Sequence, residues 1–407
     1  MKILIYGINY SPDLTGIGKY TGEMGAWLSN KSHTVDVITA MPYYPQWAVN
    51  PSYKRKLWHS EKIAGATVKR CPLYVPKKVT GAKRMIHEFS FFLSSSIFWI
   101  GALFKSYDVL FTPYPPLVIG IWPRIYTLLH PKTTWVFHIQ DLQVDAAREL
   151  GLIKNQKLLS LLSSIELYWL KKAHKVSSIS SGMKDRILRK GVQESNYIML
   201  PNWAETDIIK PLSKNESLRA ELNIPASSKV VLYSGNLGEK QGVDMIIDAA
   251  AALQSDPNLL FVIAGEGASK ANLIAYAQTH NINNVLFLPL QPYHKLAAFL
   301  AIADIHLVIQ KKSAADLVLP SKFMSILSAG GVAIVTTEPE TTLFQMIDAH
   351  QLAYVCEPEN EKAFIHLIKE VVQSDVSQIS ANARNYAEAH LSIDAILGKF
   401  VDDIGKK

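Results

Sequence analysis

Three turns in the second half of the chain combine glycine with lysine, the residue types that suit a bound diphosphate. They lie in YSGNLGEKQGVD (233–244), VIAGEGASK (262–270) and LVLPSKFMSILSAGG (317–331), each close to a strand-like run. Glycine lets the backbone approach a ligand closely, and lysine supplies a compact cation. The carboxyl ends of parallel strands meet at one edge of a sheet, where ligands bind. The pattern therefore predicts a site for a ligand that contains a diphosphate.

The third of these turns also predicts a helix start that attracts anions. Pro320 suits the first position of a helix, and Ser321 and Lys322 follow it. The free backbone N–H groups and the dipole of a helix favour negative charge at this end. In the first turn, Gly235, Gly238 and Gly242 let the backbone approach a ligand, and Lys240 supplies the cation for a phosphate.

A further glycine-rich stretch, TGIGKY (15–20), follows the N-terminal strand-like run. A dinucleotide fingerprint needs G-x-G-x-x-G directly after the strand. Here the glycines are Gly16, Gly18 and Gly22, so the last one lies one residue too far along. The second strand-like run also ends without an acidic residue for a ribose, which disfavours nicotinamide binding. Two interpretations remain, a backbone cradle for an anion or a sugar and a simple turn that begins a helix.

Short β-branched runs alternate with helical patterns along the chain, which predicts βαβ units and parallel sheets. The strand-like runs are Lys2–Asn9, Thr34–Ala40, Tyr107–Thr112, Thr134–Ile139, Lys175–Ser180, Lys229–Ser234, Leu259–Ala264, Val285–Leu288, Ile305–Ile309, Val332–Thr336 and Ala353–Cys356. A proline-containing stretch at 198–211 marks a linker. The sequence therefore predicts an α/β fold with two doubly wound, Rossmann-like domains, residues 1–203 and 204–385, and a helical segment at 386–407.

The composition is that of a folded protein, with 48% hydrophobic and 19% charged residues and a net charge of +7. Between Pro51 and Leu110, eleven lysines and arginines stand against three acids, which implies an anionic partner. No nucleic-acid module is recognisable, so we do not expect nucleic acid to be that partner. Cys71 and Cys356 suit neither a disulfide framework nor a thiolate metal site. The N-terminus resembles no signal peptide, and we expect a cytoplasmic protein.

The segment between Glu88 and Lys105 contains sixteen uncharged residues, four of them serines. A membrane span needs about 20 apolar residues, so spanning is not expected. Two interpretations of Phe89–Phe104 remain open, a buried helix of the first domain and a helix that places an apolar face in a bilayer surface. A basic cluster that could contact lipid headgroups precedes the segment. It consists of Lys77, Lys78, Lys83 and Arg84.

In the order of its motifs, the chain resembles the retaining glycosyltransferases of family 4 (glycosyltransferase group 1), which have the GT-B fold. The matching stretches are TGIGKY, FHIQDLQVDAA (137–147), LPNW (200–203), SGNLGEKQG (234–242), AGEG (264–267) and LPSKFMSILSAGG (319–331). INYSPDLTGIGKYTGEM and PYYPQW (42–47) are most similar to the exopolysaccharide branch. The resemblance implies two domains that face each other across a cleft, with C-terminal helices packing back. The first domain would bind the acceptor and the second the nucleotide sugar.

The resemblance also implies roles for individual residues. The expected donor contacts are Gly16, Gly18, Asn236, Gly238, Lys240, Gly265, Glu266, Asp316, Ser321, Lys322 and Ser325. His138 would contact the donor sugar near the reacting centre, and Asp141 would be its neighbour or an acceptor contact. The alternative is that His138 is an ordinary core histidine. No Asp-x-Asp motif is present, so no metal or other cofactor is expected beside the nucleotide sugar.

The sequence departs from the pattern of this family in two places. Where many members have two glutamates eight residues apart, this chain has Leu317 and Ser325, with Asp316 one residue from the first position. Which residues hold the sugar and the ribose therefore stays open. In the phosphate loop, Asn236 replaces the usual arginine, and Lys240 lies one residue before the usual lysine. A slightly different loop would still bring Lys240 to the phosphate.

The expected function is transfer of a sugar from a GDP- or UDP-sugar, with GDP-fucose as one candidate, to a lipid-linked oligosaccharide in exopolysaccharide biosynthesis. We expect this at the inner face of the cell membrane. A glycoside hydrolase would need two carboxylates flanking the scissile bond, and no such pair is evident at the strand ends. A nucleotide-sugar epimerase or dehydrogenase would need the dinucleotide fingerprint. A catalytically weak scaffold of a membrane polysaccharide-assembly complex would bind the donor without transfer.

Overall fold

The computed structural model describes residues 1–13, 16–149, 151, 153, 155–238, 241–312 and 320–405. The chain divides into two compact units, one of Met1–Asn202 with Lys399–Lys407 and the other of Trp203–Gly398. Each unit contains a sheet of mainly parallel strands with helices around it. The predicted fold class, with two doubly wound α/β domains, is confirmed.

The sheet of the first unit has eight strands. They are β1 (Lys2–Tyr6), β2 (Thr34–Ala40), β3 (His59–Ile63), β4 (Ala66–Cys71), β5 (Val109–Tyr114), β6 (Thr134–Ile139), β7 (Lys175–Ser178) and β8 (Tyr197–Met199). Their order is β3-β4-β2-β1-β5-β6-β7-β8, and only β3 runs antiparallel to its neighbour. The chain therefore winds outward in both directions from β1, which brings the loops after β1 and β5 together at the switch point.

Six helices accompany this sheet in the described part of the first 202 residues. They are α1 (Gly16–Asn30), α2 (Gly81–Ala102), α3 (Ile121–Leu129), α4 (Gln143–Glu149), α5 (Gln156–Lys172) and α6 (Ser181–Arg189). Side-chain oxygens mark several helix starts, since Asn155 accepts from the N–H of Lys157 and Ser180 from the N–H of Met183. Such caps satisfy N–H groups that have no partner within the helix.

Helix α2 buries one face and exposes another. Phe91 and Trp99 are fully buried and pack on Tyr6, with ring centroids 5.5 and 5.0 Å from its ring. The hydroxyl groups of Tyr6 and Ser95 are hydrogen-bonded at 2.9 Å. This segment therefore forms most of one helix whose inner face belongs to the core, and contact of its exposed face with a bilayer surface stays a prediction. Among the helices that the structure describes, none has the length and hydrophobicity to cross a membrane.

The sheet of the second unit has six strands, all parallel. They are β9 (Lys229–Ser234), β10 (Leu259–Ala264), β11 (Val285–Leu288), β12 (Ile305–Val308), β13 (Ala333–Thr336) and β14 (Tyr354–Cys356). Their order is β11-β10-β9-β12-β13-β14, so the switch point lies between β9 and β12. The turns that follow β9 and β10 thus meet on the carboxyl edge of this sheet.

The helices that follow along the chain complete the fold. They are α7 (Asp244–Leu253), α8 (Lys270–Thr279), α9 (Leu296–Leu300), α10 (Ser321–Ser328), α11 (Thr342–His350), α12 (Glu361–Gln373), α13 (Ser377–Tyr386) and α14 (Ile393–Gly405). A short π-helical turn, Ala387–Leu391, separates the last two. Within the first unit, Phe400 of α14 packs edge-on against Phe111 of β5, with ring centroids 5.8 Å apart.

All eleven predicted strands are present, with small shifts at their ends. Strands β3, β4 and β8 were not predicted. Strand β4 contains two adjacent charged residues, Lys69 and Arg70, and Arg70 is nevertheless fully buried. The guanidinium of Arg70 pairs with Glu61 and donates to the carbonyl of Ala40 at 3.1 Å. One of the eleven cations counted in the basic stretch is therefore a core residue and not part of the surface.

Candidate functional site

The turns after β9 and β10 pack backbone against backbone in the second unit. The N–H of Leu237 donates to the carbonyl of Glu266, and the N–H of Ser269 donates to the carbonyl of Leu237, both at 2.9 Å. Gly265 has no room for a side chain, because a Cβ there would lie 1.9 Å from the carbonyl oxygen of Gly235. Two of the predicted glycine-rich turns therefore form one continuous surface at the carboxyl edge.

Lys322 lies beside this surface, in the first turn of α10. Its Nζ lies 4.5 Å from the centroid of the Tyr233 ring and 3.4 Å from the Tyr233 hydroxyl oxygen, at the end of β9. Burial lowers the pKa of Lys322 to about 8. An anion next to Nζ would favour the charged form of this lysine, so the position suits a phosphate group.

The start of α10 adds backbone donors to this lysine. The carbonyl of Pro320 accepts from the N–H groups of Phe323 and Met324, at 2.9 and 3.2 Å. The N–H groups of Ser321 and Lys322 precede these first helical hydrogen bonds, as the opening N–H groups of any helix do. The helix dipole and the ammonium group therefore place positive charge at the same helix end.

The other predicted donor contacts have different surroundings. Asn236 is exposed in the turn after β9, two residues before Gly238. The Glu266 carboxylate forms an ion pair with Lys270 at 2.7 Å. The hydroxyl of Ser325 donates to the carbonyl of Ser321 at 3.3 Å, one turn farther along α10. Lys240 and Asp316 lie outside the described residues.

A cavity of about 370 Å³ opens in the first unit where six parallel strands end. It lies beyond the carboxyl ends of β1, β2, β5, β6, β7 and β8. Its polar and aromatic lining consists of Asn9, Tyr43, Tyr44, Trp47, Arg84, His87, Glu88, Gln140, Asp141, Gln143 and Asn202. Aromatic faces together with carboxylates and amides suit a sugar, which offers both apolar C–H groups and hydroxyls.

The charged groups of this cavity, Arg84, Glu88 and Asp141, interact electrostatically. The Nε of Arg84 donates to a carboxylate oxygen of Glu88 at 3.1 Å. Burial raises the pKa of both Glu88 and Asp141, and the positive charge of Arg84 partly opposes this in each case. The cavity therefore holds two carboxyl groups around one guanidinium.

The TGIGKY stretch borders the same cavity. Gly16, with a φ of +59°, begins α1 and lines the cavity. Gly18 packs so closely on Asp13 that a Cβ would lie 2.5 Å from the Cβ of Asp13. Burial raises the pKa of Asp13 to about 6, and the Asn9 amide donates to its carboxylate at 3.2 Å. Residues 16–20 thus form the start of α1, and Gly16 presents backbone to the cavity.

His87 brings a nitrogen acceptor to the lining of the cavity. Its Nδ1 is hydrogen-bonded to the carbonyl of Tyr74, so this nitrogen carries the proton. Burial lowers the pKa of His87, which keeps the ring neutral and leaves Nε2 as an acceptor. Within the part of the chain that the structure describes, Nε2 has no hydrogen-bond partner. This nitrogen is buried, so it is an unsatisfied acceptor beneath the surface of the cavity.

His138 lies deeper, behind the cavity lining. Its Nδ1 is hydrogen-bonded to the Ser177 hydroxyl at 2.9 Å, and the Gln140 amide donates to its Nε2 at 2.8 Å. Burial lowers its pKa to about 3, so the ring is neutral. Gln140 and Asn202 also exchange two amide hydrogen bonds, at 3.1 and 3.3 Å. His138 therefore holds Gln140, which does line the cavity, as Asp141 does.

The aromatic residues of the cavity and its neighbours on α2 were not among the predicted site residues. Tyr43, Tyr44 and Trp47 belong to PYYPQW, which was noted only for its resemblance. His87 and Glu88 directly precede the uncharged run of α2, and nothing in their local sequence distinguishes them from ordinary surface residues. The position of PYYPQW could have revealed these aromatic residues. The stretch follows β2, whose carboxyl end lies at the same edge of the sheet as the cavity.

Comparison with known families and relatives gives consistent matches along the chain. A family model described as Glycosyl transferase 4-like domain matches residues 15–203, and one described as Glycosyl transferases group 1 matches residues 214–390. The chain is 42% identical to "Putative colanic acid biosynthesis glycosyl transferase WcaI" of Escherichia coli (strain K12), over 99% of this chain and 100% of the relative. It is 22% identical to "Probable glycosyltransferase WbjE" of Pseudomonas aeruginosa, over 70% of this chain and 71% of the relative. The predicted resemblance is confirmed.

Solved structures share the fold at low sequence identity. A sucrose-phosphate synthase from Thermosynechococcus elongatus matches with a TM-score of 0.67 and 16% identity, over 99% of each chain. Anabaena HepE in complex with UDP-glucose matches with a TM-score of 0.62 and 13% identity, over the whole of each chain. At these identities the likeness shows a common architecture.

Proposed function

We propose that this chain, which belongs to the glycosyl transferases of group 1, moves a sugar from a nucleotide-diphosphate sugar to a lipid-linked oligosaccharide. The enzyme class is a glycosyltransferase. The proposal adds a GDP- or UDP-sugar as donor, with GDP-fucose as one candidate, retention of the anomeric configuration, and a place in exopolysaccharide biosynthesis at the inner face of the cell membrane. The name of the 42% identical relative, a putative glycosyl transferase of colanic acid biosynthesis, supports this assignment.

The observation that supports the donor assignment most strongly is the position of Lys322. Its ammonium group and the first N–H groups of α10 lie beside the turn after β9. A departing nucleoside diphosphate gains negative charge as its bond to the sugar breaks, and fixed positive groups stabilise that charge. This arrangement supplies the charge from the protein, so we propose that transfer needs no metal ion.

The cavity of the first unit is the proposed acceptor site. Its tyrosine and tryptophan rings would stack on a sugar, while Glu88 and Asp141 would accept hydrogen bonds from hydroxyls. His138 acts here as a positioning residue through its hydrogen bond to Gln140. Gly16 contributes backbone at the rim.

A ligand screen by thermal unfolding tests the donor half of the proposal. The purified protein would be mixed with UDP, GDP, ADP or dTDP and with their sugars. A ligand that binds only the folded protein raises its melting temperature by mass action. We expect one base to give the largest shift and Lys322→Ala to reduce it, while Lys362→Ala, an exposed lysine on α12, should keep it. A folded protein that responds to none of these ligands would overturn the proposal.

Retention and metal independence have their own tests. NMR of the newly formed linkage would show the same anomeric configuration as the donor, and an inverted linkage would contradict the proposal. Activity should persist in excess EDTA. A loss of activity that Mg²⁺ or Mn²⁺ restores would show that a metal ion supplies charge that we assign to Lys322.

A further inference from the structure

The outward face of α2 carries a continuous stripe of large apolar side chains. It consists of Met85, Ile86, Phe89, Leu93, Ile97 and Ile100, each between 49% and 57% exposed. From Ile86 onward these positions recur every three or four residues, which places them on one side of the helix. Phe104, just beyond the helix end, is 87% exposed. We call these seven residues the outer stripe.

Neighbouring segments of the first unit widen the apolar surface. The indole N–H of Trp58 donates to the carbonyl of Ser94 at 2.9 Å, so the exposed pair Leu57 and Trp58 lies beside the middle of α2. At the other end, the Nε2 of His130 is hydrogen-bonded to the carbonyl of Leu103 at 2.9 Å. This contact places the end of α3, where Leu128 and Leu129 are exposed, next to the end of α2.

Basic residues flank this apolar surface. Lys77, Lys78 and Lys83 are exposed just before and within the first turn of α2. Lys54, Arg55 and Lys56 are exposed immediately before Leu57. Within the described ranges, none of these six side chains forms an ion pair, whereas Arg84 and Lys105 pair with Glu88 and Asp36. The surface therefore combines exposed apolar area with uncompensated positive charge.

We propose that the outer stripe and its flanking lysines dock the protein on an anionic lipid bilayer. An apolar helix face with cations beside it suits the boundary between headgroups and acyl chains. Helix α2 has 22 residues and is about 33 Å long, so it offers an extended line of insertion. The buried face of the same helix stays in the protein core, and docking therefore requires no unfolding.

The same helix joins this surface to the cavity. Arg84, His87 and Glu88 line the cavity. Met85, Ile86 and Phe89 lie next to them in the same two turns of α2 and are exposed. A docked α2 would hold the cavity about one helix diameter, roughly 10 Å, from the bilayer. A lipid-linked acceptor would then keep its lipid in the membrane while its sugar enters the cavity. This second step rests on the proposed function, whereas docking itself does not.

Vesicle flotation tests the proposal directly. The full chain would be mixed with vesicles of phosphatidylcholine alone or with added phosphatidylglycerol. We expect binding to the anionic vesicles that weakens as salt rises, because salt screens the lysines. Leu93→Gln/Ile97→Gln should reduce partitioning about tenfold or more, because it removes two inserted apolar side chains. Lys77→Glu/Lys78→Glu should reduce binding to the anionic vesicles.

Matched controls separate docking from general effects of substitution. Ile208→Gln/Leu290→Gln changes two exposed apolar residues of the second unit, and Lys362→Glu/Lys369→Glu reverses two exposed lysines of α12. Both control variants should float as the parent chain does. Because Cys71 and Cys356 are buried, an environment-sensitive dye on Ile97→Cys should report insertion by a blue shift, and the same dye on Ile208→Cys should not.

Three results would overturn this proposal. One is flotation of Leu93→Gln/Ile97→Gln equal to that of the parent chain. Another is equal loss of flotation in both control variants. The third is a stable dimer that does not float and that Leu93→Gln/Ile97→Gln dissociates, since a second copy would then cover the stripe. The nucleotide-dependent thermal shift should be unchanged in the stripe variants, so a failure of docking is distinguishable from a failure of the proposed function.

Discussion

The candidate sites of the two units are built from different parts of the polypeptide. In the second unit, backbone groups of two turns and one helix start surround the single ammonium group of Lys322. In the first unit, side chains from the segments after six strands and from α2 converge on a cavity that contains aromatic rings, carboxyl groups and a neutral histidine. A backbone site suits the diphosphate that all donors of this kind share. A side-chain cavity suits an acceptor that differs from one enzyme to another.

Removal of the Lys322 charge should have the largest effect on ligand binding at the site of the second unit. We expect Lys322→Ala to weaken nucleoside diphosphate binding about 100-fold, since a hydrogen bond to a charged group contributes about 1.5–3 kcal/mol. Isothermal titration calorimetry would measure the affinity, with Lys362→Ala as the matched lysine control. An unchanged affinity would show that the diphosphate lies elsewhere.

A side chain at Gly265 should damage the packing of the two turns. A Cβ there would lie 1.9 Å from the carbonyl oxygen of Gly235, so Gly265→Ala must shift the turn after β9. We expect a loss of about 2 kcal/mol in the free energy of unfolding, as is typical of overpacking. Gly398→Ala in α14 is the control, because its Cβ would meet no atom within 4 Å and alanine favours the helix. Calorimetric unfolding would compare the two variants, and equal stability would mean that the turns are not tightly packed.

A neutral residue at Glu88 should affect only the proposed acceptor site, which is the cavity of the first unit. We expect Glu88→Gln to raise the KM for a lipid-linked acceptor about tenfold, since one charged hydrogen bond to a hydroxyl becomes a neutral one. The affinity for the nucleoside diphosphate should stay the same. Glu370→Gln, an exposed glutamate of α12, is the control for steady-state kinetics. If Glu88→Gln changed the affinity for the nucleotide and not the KM for the acceptor, the assignment of donor and acceptor to separate sites would be contradicted.

The pH dependence of nucleotide binding should reflect the pKa of Lys322, which burial lowers. Its pKa is about 8 in the free protein, and a bound anion raises it. Below this pKa the lysine is already charged, whereas above it binding must take up a proton, so affinity falls as pH rises. We expect a loss of no more than about tenfold between about pH 7 and pH 9. Lys322→Arg, which stays charged, should show no such fall. Parallel pH profiles for the two proteins would exclude Lys322 as the cause.

The contrast between the two candidate sites also explains which of their residues could be predicted from the sequence. The turns at Gly238 and Gly265 and the helix start at Lys322 were predicted because their signals are local, a glycine or cation next to an apolar strand. The cavity residues His87 and Trp47 were not, because they meet only through the order of the strands. Arg70 shows the same limit, since its burial depends on Glu61 and on backbone carbonyls from other segments.

His138 illustrates a prediction whose role depends on contacts that sequence does not reveal. The motif placed it at a strand end, where the structure has it. Its two ring nitrogens are both engaged, with Ser177 and Gln140, and this arrangement suits a positioning role. The predicted sugar contact of His138 stays a prediction. Lys240 and Asp316 stay predictions as well, since they lie outside the residues that the structure describes.

The central claim is that this chain transfers a sugar from a nucleotide-diphosphate donor. Its most direct test is mass spectrometry of a lipid-linked oligosaccharide fraction after incubation with the purified protein and the donor selected by thermal shift. We predict an acceptor that is heavier by one sugar residue, equimolar release of the nucleoside diphosphate, and strongly reduced product with Lys322→Ala. A protein that binds the donor but leaves the acceptor mass unchanged would contradict the claim and would favour a donor-binding scaffold.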